Sequence, residues 1–253
     1  MSSIVYNSYP NFMKLCERAA QEEKIFSNFK NSPVYRGILE HANRIQGEEH
    51  YEIALKQSPE LKNYFHKFKK NDSIGNPIVE NYNFGIFSPT TLQYIKVLSD
   101  LLKEFGENKL SNINILEIGG GYGGQSCIIR DYLNILNYTF VDLPEPLNLT
   151  KKYVNAYGYL NNRFINHSDD IVEILKKGAY DLVISNYAFS ELCKPLQKEY
   201  ISLFEDIKMG YLTCNQLSSQ CFSKSEMLEN IAFDVKTSPD IKAENPNNYI
   251  LTW

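Results

Sequence analysis

The amino-acid sequence predicts an α/β fold in which a doubly wound, mainly parallel sheet follows a helical N-terminal region. From about residue 112, short apolar runs rich in β-branched residues alternate with segments of helical length, a pattern typical of a buried parallel sheet flanked by helices. Before about residue 107, apolar residues recur at helical spacing instead. A glycine-rich segment (119–124) follows the first apolar run, where such sheets place a tight strand-to-helix turn.

The composition excludes several classes of protein. The chain has 253 residues, of which 43% are hydrophobic, so it can bury a full core without disulfides or metals. Lys and Arg number 26 against 30 Asp and Glu, and this balance argues against a nucleic-acid partner held by general electrostatic attraction. The five cysteines are odd in number and form no C-x-x-C pair, which predicts reduced thiols rather than disulfides or a zinc site.

The hydropathy pattern bears on location. No stretch approaches the ~20 apolar residues of a membrane span, and the first residues lack the basic and apolar segments of a secretory signal. We therefore expect a cytoplasmic protein without a membrane span. Homo-oligomer formation stays open, because apolar positions of the N-terminal region could pack against their own domain or against a second copy.

The N-terminal region (1–107) is predicted to form a helical cap that shapes a substrate pocket. Apolar residues between Phe12 and Phe29 fall at helical spacing, and Ser58 precedes a proline as a helix-capping residue does. The clearest helix begins at Ser88-Pro89 and ends at Gly106. The turn-rich, aromatic segment 75–88 is interpreted as an ordered loop.

The second region (108–253) contains the predicted sheet. Its helices are expected at about 122–135, 146–157, 169–176 and 191–207, and Ile231–Val235 with Tyr249–Trp253 could form a terminal hairpin. The five preceding strands are predicted at Ile113–Ile118, Tyr138–Val141, Arg163–Ile165, Asp181–Ser185 and Tyr211–Cys214.

The glycine-rich segment fits two kinds of nucleoside-binding loop. Gly119, Gly121 and Gly124 match the G-x-G-x-x-G fingerprint of dinucleotide-binding folds. Glu117 followed by glycines at 119, 121 and 123 matches the loop that binds S-adenosylmethionine (SAM). Both loops use glycine because a residue without Cβ lets the backbone bend sharply and approach a ligand closely. The glycines alone leave the choice open.

Two acidic residues narrow that choice. Asp142 ends the next predicted strand about 20 residues further on, where both nucleoside classes need a carboxylate for ribose hydroxyls. Glu117 stands two residues before the first glycine, a position where SAM-dependent enzymes use an acid and dinucleotide folds have no such requirement. SAM is therefore the favoured ligand.

Several segments together resemble the sugar O-methyltransferase family of bacteria, within the class I SAM-dependent methyltransferase superfamily. The resemblance covers about residues 75–220. It is carried by LEIGGGYGG (116–124), FVDLPEPLNL (140–149), DLVISNYAFSEL (181–192) and the lead-in Ser88-Pro89-Thr90-Thr91 with Tyr94.

The resemblance implies a class I methyltransferase fold with strand order 3-2-1-4-5-7-6, a last antiparallel strand and SAM as methyl donor. Asp142, with Leu143 beside it, would hold the ribose. Tyr94, on the helix that begins at Ser88-Pro89, could face the cofactor or merely pack. The methionine end would be surrounded by Glu117, Gly119, Gly120, Gly121 and Gly123. Larger small-molecule O-methyltransferases often have a catalytic histidine in the second half of this domain. The last histidine here is His167, so that arrangement does not transfer.

Other polar residues follow predicted strands at the edge where open α/β sheets bind ligands. Asn186, Tyr187 and Glu191 follow the fourth strand and are the catalytic candidates. Asn186 could hold the acceptor or the amino group of the donor, so it is a cofactor-binding candidate as well. Glu191 is the candidate base, although a carboxylate is also favoured at a helix start. His167, Ser168 and Asp169 follow the third strand and are expected near adenine, or at a helix cap. Neighbouring acids could bind Mg²⁺, but we expect no metal.

Aromatic and polar residues of the N-terminal region are candidates for the substrate pocket. Tyr82, Asn83 and Ser88 could close over the donor, and Tyr187 could wall the acceptor pocket from the other side. His50 is expected to be structural.

These features predict methyl transfer from SAM to a hydroxyl group of a small, sugar-like acceptor. A nitrogen or carbon acceptor would use the same donor site. Two alternative functions stay open as well. A SAM-binding accessory subunit without turnover would retain the glycine loop, and an NAD-dependent oxidoreductase would use the G-x-G-x-x-G register of the glycines.

Overall fold

The structure is a computed structural model that describes residues 9–167, 171–216, 218–240 and 247–253. Two predicted site residues, Ser168 and Asp169, lie outside the described residues.

The N-terminal region is mostly helical, as its apolar spacing predicts. The segment from Phe12 to Phe29 is not one helix, because Glu22 adopts an extended conformation after the first helix. The helices of this region are α1 (Pro10–Gln21), α2 (Glu23–Phe26), α3 (Pro33–Arg36), α4 (Arg44–Gln57), α5 (Phe65–Phe68), α6 (Pro89–Phe105) and α7 (Glu107–Leu110).

Helix α6 has the ends that the sequence predicts. The Ser88 hydroxyl accepts a hydrogen bond from the Thr91 backbone N–H and caps the first turn, and Gly106 ends the helix with φ +80°. Ser58 makes no capping hydrogen bond, and short 3₁₀ turns follow it. The aromatic segment before α6 contains a small antiparallel hairpin of β1 (Glu80–Tyr82) and β2 (Gly85–Phe87).

Seven strands form the large sheet. They are β3 (Asn114–Ile118), β4 (Asn137–Asp142), β5 (Asn162–Asn166), β6 (Leu182–Asn186), β7 (Met209–Cys214), β8 (Lys236–Pro239) and β9 (Tyr249–Thr252). Their spatial order is β5-β4-β3-β6-β7-β9-β8, which is 3-2-1-4-5-7-6 when only these strands are numbered. β9 is antiparallel to both of its neighbours. The predicted class I methyltransferase architecture is therefore confirmed.

Helices cover both faces of the sheet, which is why the central strands are apolar throughout. They are α8 (Gly124–Tyr132), α9 (Pro144–Tyr157), α10 (Ile171–Lys176), α11 (Lys194–Phe204) and α12 (Lys224–Asn230). Alternate strand residues enter different cores: Ile115 joins the core that also contains α6, α8 and α9, whereas Leu116 joins the core of α10 and α11. The N-terminal helix α1 packs on α9, and its Phe12 belongs to the first core.

The first strand of the terminal hairpin differs from its prediction. The structure places β8 at Lys236–Pro239, directly after the predicted Ile231–Val235. Ile231, Phe233 and Val235 are half-buried against the second core without strand pairing, whereas the β8 residues are exposed at the sheet edge. Hydropathy therefore marked the residues that pack and not the residues that pair.

Within the part of the chain that the structure describes, no helix combines the length and the apolar character needed to cross a bilayer.

Candidate active site

A cavity of about 460 Å³ lies at the carboxyl ends of the parallel strands, beneath α1, α4 and α6. Open α/β sheets bind their ligands at this edge, so the topology places the cavity where the sequence predicts the site. Residues that directly follow β3, β4, β6 and β7 line it, among them Gly119, Leu143, Tyr187 and Asn215.

The glycine loop after β3 approaches the segment after β6 too closely for a side chain. Gly119 has φ +74°, and a Cβ at this position would lie 2.0 Å from the Cβ of Ala188. Its backbone N–H donates to the Val141 carbonyl over 2.8 Å, which ties the loop to β4. Backbone atoms therefore form the wall of the cavity here, the arrangement by which glycine loops hold nucleosides.

Asp142 ends β4 beside that loop. Its carboxylate accepts backbone hydrogen bonds from Leu143, over 2.8 Å, and from Gly121. Burial raises the pKa of Asp142 to about 7, against the lowering effect of these hydrogen bonds. A carboxylate that lines the cavity at a strand end could accept hydrogen bonds from the two hydroxyls of a ribose.

Glu117 lies under the loop and is 2% exposed. Its Oε2 accepts a hydrogen bond from the Tyr138 hydroxyl over 2.9 Å. Burial raises the pKa of Glu117 to about 8, with a smaller opposing effect from that hydrogen bond. A positively charged ligand in the cavity would therefore stabilise the ionised form of this group.

A further polar atom, on a side chain that lines the cavity, has no protein partner. The Gln125 side chain is buried, its Nε2 donates to the Tyr94 carbonyl over 3.1 Å, and its Oε1 is without a hydrogen bond. Buried amide oxygens are usually paired. The backbone cradle, the two acids and this oxygen fit a ligand with ribose hydroxyls and a charged amino-acid end, as SAM has.

The catalytic candidates that follow β6 line the same cavity, in the segment that meets the glycine loop at Ala188. The Asn186 Oδ1 accepts a hydrogen bond from the Thr213 hydroxyl over 3.1 Å. Tyr187 has φ +69°, a strained conformation for a residue with a side chain. Its hydroxyl donates to Asp240 Oδ2 over 2.5 Å. Both residues line the cavity.

Glu191 also lines the cavity, half-buried in the turn before α11. Its Oε1 accepts a hydrogen bond from Asn215 Nδ2 over 2.9 Å, and burial raises its pKa above the ordinary value. A carboxyl with a raised pKa is a better proton acceptor once ionised.

The structure brings most predicted site residues to this cavity. The residues that line it are Tyr94, Glu117, Gly119, Gly120, Gly121, Asp142, Leu143, His167, Asn186, Tyr187 and Glu191. Gly123, the loop residue that directly precedes α8, has φ +88° and does not line the cavity.

The three substrate-pocket candidates of the N-terminal region do not line the cavity. Ser88 is fully buried as the cap of α6, and Asn83 lies exposed in the turn between β1 and β2. Tyr82 packs against Phe84 in a stacked pair. Capping and packing therefore account for the positions of Ser88 and Tyr82.

Sequence reasoning missed several polar residues that line the cavity: Gln46, Lys96, Tyr211, Asn215 and Asp240. His50, expected to be structural, lines the cavity as well. Lys96 and Asp100 are four residues apart on α6, the spacing at which opposite charges form an ion pair on a helix. Among these missed residues, only Lys96 could have been found by such a sequence signal. Within the described ranges, no group of three or more His, Cys, Asp or Glu side chains is arranged to hold a metal ion.

No protein-family model and no curated protein matches this sequence. Solved methyltransferase structures are similar in fold. A Galdieria sulphuraria protein described as a sarcosine dimethylglycine methyltransferase is 20% identical over 49% of this chain and 46% of its own, with a TM-score of 0.41. The match thus spans about half of that protein.

Two other similar structures differ in the atom that their names say is methylated. The CurJ carbon methyltransferase is 13% identical over 81% of this chain and 70% of its own, with a TM-score of 0.47. The mitomycin 7-O-methyltransferase MmcR is 13% identical over 64% of this chain and 56% of its own, with a TM-score of 0.43. At such identities the similarity concerns the fold.

Proposed function

We propose that this protein is an enzyme that transfers a methyl group from SAM to a hydroxyl group of a small sugar or sugar-containing acceptor. The observation that carries the proposal is that one cavity is lined both by the glycine cradle with Asp142 and by Asn186, Tyr187 and Glu191. A donor and an acceptor that share this cavity could place the acceptor oxygen opposite the donor sulfur across the methyl carbon, as an in-line displacement requires.

The donor half would be formed by the glycine loop and by the acidic residues in β3 and at the end of β4. Asp142 binds the ribose hydroxyls, and Glu117 with the backbone around Gly119 and Gly121 holds the methionine end. When bound, SAM supplies a methyl group on a positively charged sulfur atom. The ionised forms of Glu117 and Asp142 complement its positive charges, which offsets the cost of burying these carboxylates.

The acceptor half must orient a hydroxyl group and take up its proton. Tyr187 walls this part of the cavity, Asn186 offers an amide to an acceptor hydroxyl, and Glu191 lies among the groups that could accept a proton. Residues of the helices α1, α4 and α6 line the cavity, and in the proposed reaction they would limit the access of bulk water to the reacting atoms. Positioning and water exclusion supply much of the rate of such a reaction.

The sheet topology favours SAM over a nicotinamide dinucleotide. Dinucleotide-binding sheets have six parallel strands in the order 3-2-1-4-5-6. Here β9 is inserted antiparallel between β7 and β8. This order supports the register of the glycine loop that begins with Glu117.

The proposal is tested by incubating the protein with trideuteromethyl-labelled SAM and defined pools of sugars, amines and carbon nucleophiles. We expect the label in the sugar pool, on oxygen, with one S-adenosylhomocysteine (SAH) formed for each product. Label on nitrogen or carbon would establish one of the alternative acceptors. Tight SAH binding without product in any pool would instead indicate an accessory subunit.

A further inference from the structure

A buried ionic cluster lies at the cavity wall beside Tyr187. Lys96 on α6 is 5% exposed, and its Nζ lies 2.8 Å from Asp100 Oδ2 and 3.7 Å from Asp240 Oδ1. Tyr211 donates to Asp100 over 2.7 Å, and Tyr187 donates to Asp240 over 2.5 Å. Ion pairs buried this deeply add little net stability, because desolvation offsets their attraction.

The cluster carries one positive and two negative charges. His50, which lines the cavity on α4, adds no charge, because burial and the nearby Lys96 lower its pKa to about 4. Among the described cavity-lining residues, Lys96 is the only lysine or arginine, and both aspartates already engage it. An acceptor with a carboxylate or phosphate would thus meet excess negative charge without a cation to pair with.

The cluster has capacity for hydrogen bonds with a ligand. An ionised carboxylate has about four acceptor positions, and Asp240 uses one for Tyr187 and faces Lys96 with its other oxygen. The His50 side chain is 7% exposed, and its Nδ1 is a buried polar atom without a partner. Such atoms are usually satisfied in proteins, so this second observation points independently to a polar ligand.

We propose that Asp240, held by Lys96 and Tyr187, binds the acceptor hydroxyl and takes its proton, and that this cluster selects a polyhydroxylated acceptor without negative charge. The inference rests on the proposed function, and it assigns the proton acceptor to Asp240 in preference to Glu191.

The proton balance follows from methyl transfer to oxygen. The oxygen of the acceptor hydroxyl forms a bond to the methyl carbon, and Asp240 takes the proton that this hydroxyl loses. The donor sulfur keeps the electrons of the broken carbon–sulfur bond. Lys96 holds the carboxylate before transfer, and the Tyr187 hydroxyl fixes the orientation of its second oxygen. Water then removes the proton after the product leaves.

The test compares acceptor pools sorted by charge: neutral sugars and amino sugars in one, uronic acids, sugar phosphates and nucleotide sugars in the other. Labelled SAM and mass spectrometry identify the product in each. Three variants are measured alongside the parent: Asp240→Asn, Tyr187→Phe and, as a matched control, Asp234→Asn, which lies exposed near the start of β8. Thermal shift with SAH and calorimetric acceptor binding to the SAH complex report on binding without turnover.

We expect label in the neutral and amino-sugar pool alone. Asp240→Asn should lower kcat by about 100-fold, the usual contribution of a positioned base, and weaken acceptor binding, with the SAH shift retained. Tyr187→Phe should also lower kcat and weaken acceptor binding, by a smaller factor. Asp234→Asn should have the kcat and the acceptor affinity of the parent. Since asparagine can still accept the Tyr187 hydrogen bond, the fold should survive the substitution.

Label in the anionic pool alone, or full activity of Asp240→Asn, would overturn this inference and leave the proposed function standing. Absence of an SAH shift in the parent protein, or SAH binding without product in any pool, would overturn the proposed function and the inference with it.

Discussion

Gly119 and Tyr187 both hold backbone conformations with positive φ where they meet the cavity. At Gly119 the conformation brings backbone within reach of a ligand, and the glycine motif predicts it. At Tyr187 a side chain is forced into a conformation that costs on the order of 1–3 kcal/mol. Neighbouring contacts must stabilise it, including the hydrogen bond from its own N–H to the Thr213 carbonyl over 2.8 Å.

Replacing Gly119 by alanine should separate conformational strain from loss of the ligand site. The new Cβ would meet Ala188 at 2.0 Å, so the loop must move, and we expect SAH affinity to fall by about tenfold or more, equivalent to about 1.4 kcal/mol. Gly106→Ala is the matched control, because Gly106 has a similar φ of +80° and no atom within 4 Å of its added Cβ.

Both glycine variants should lose about 1–2 kcal/mol of stability from the positive φ. Only Gly119→Ala should lose SAH affinity, measured by titration calorimetry. Equal SAH affinity in the two variants would mean that the loop does not hold the ligand.

The buried Glu117 predicts a pH dependence of stability in the ligand-free protein. Its folded pKa of about 8 lies above the ordinary value of 4.5. The folded state therefore retains a proton that the unfolded state releases, and the free energy of unfolding falls as pH rises from about 4.5 through 8. The loss should be on the order of a few kcal/mol, since each pKa unit corresponds to about 1.4 kcal/mol.

The Glu117→Gln variant supplies the comparison, because its amide stays neutral and can still accept from Tyr138. Urea unfolding at about pH 5 and about pH 8 should show a smaller decline for the variant than for the parent. Identical declines would show that Glu117 does not carry the effect.

The site residues that the sequence reveals are those within a short motif. Glu117 and Asp142 stand at fixed distances from the glycines, so spacing alone selects them. Lys96 and Asp240 are 144 positions apart along the chain, and no motif spacing links them. Only the packing of α6 over the end of the sheet brings them together.

Among the elements, β9 shows most clearly what hydropathy can locate. All four of its residues are buried between β7 and β8, and the sequence predicts it to within one residue. Its partner β8 is an edge strand of exposed, mostly polar residues. An edge strand buries little apolar surface, so backbone pairing defines it and no periodicity reveals it.

The contribution of β9 to stability can be measured with one core substitution. Leu251 is fully buried in the second core, and Leu251→Ala should lower the free energy of unfolding by about 2–5 kcal/mol because it leaves a cavity. Leu160→Ala, at a position 73% exposed, should change it by less than about 0.5 kcal/mol. Equal denaturant midpoints for the two variants would place β9 outside the cooperative core.

The Ser88→Ala variant tests whether Ser88 stabilises the start of α6 and has no part in ligand binding. The Ser88 hydroxyl caps the helix and donates to the Thr91 hydroxyl over 3.0 Å, so Ser88→Ala should cost about 1–2 kcal/mol of stability with SAH affinity unchanged. Ser58→Ala, at a serine that makes no capping bond, should cost less by the same urea assay. A loss of SAH affinity in Ser88→Ala would restore the predicted pocket role.

At the scale of the molecule, the N-terminal region and the glycine loop share one core. The buried Lys30 lies 4.2 Å from the centre of the Tyr122 ring, within the loop, and donates to the Tyr153 hydroxyl over 3.0 Å. Burial lowers the pKa of Lys30 to about 8. The sequence predicts a helical cap but not this contact, because aromatic rings around a buried cation leave no periodic pattern.

Thermal unfolding of the protein in the presence of SAH, SAM, NAD or NADP tests most directly whether the cavity holds SAM. A ligand at a hundredfold excess over its Kd adds about 2.7 kcal/mol of stability, so the shift in Tm should be plain. We predict a shift with SAH and SAM, none with NAD or NADP, and a weaker SAH shift in Asp142→Asn. A shift with NAD alone would assign the glycines to a dinucleotide and remove the methyltransferase interpretation.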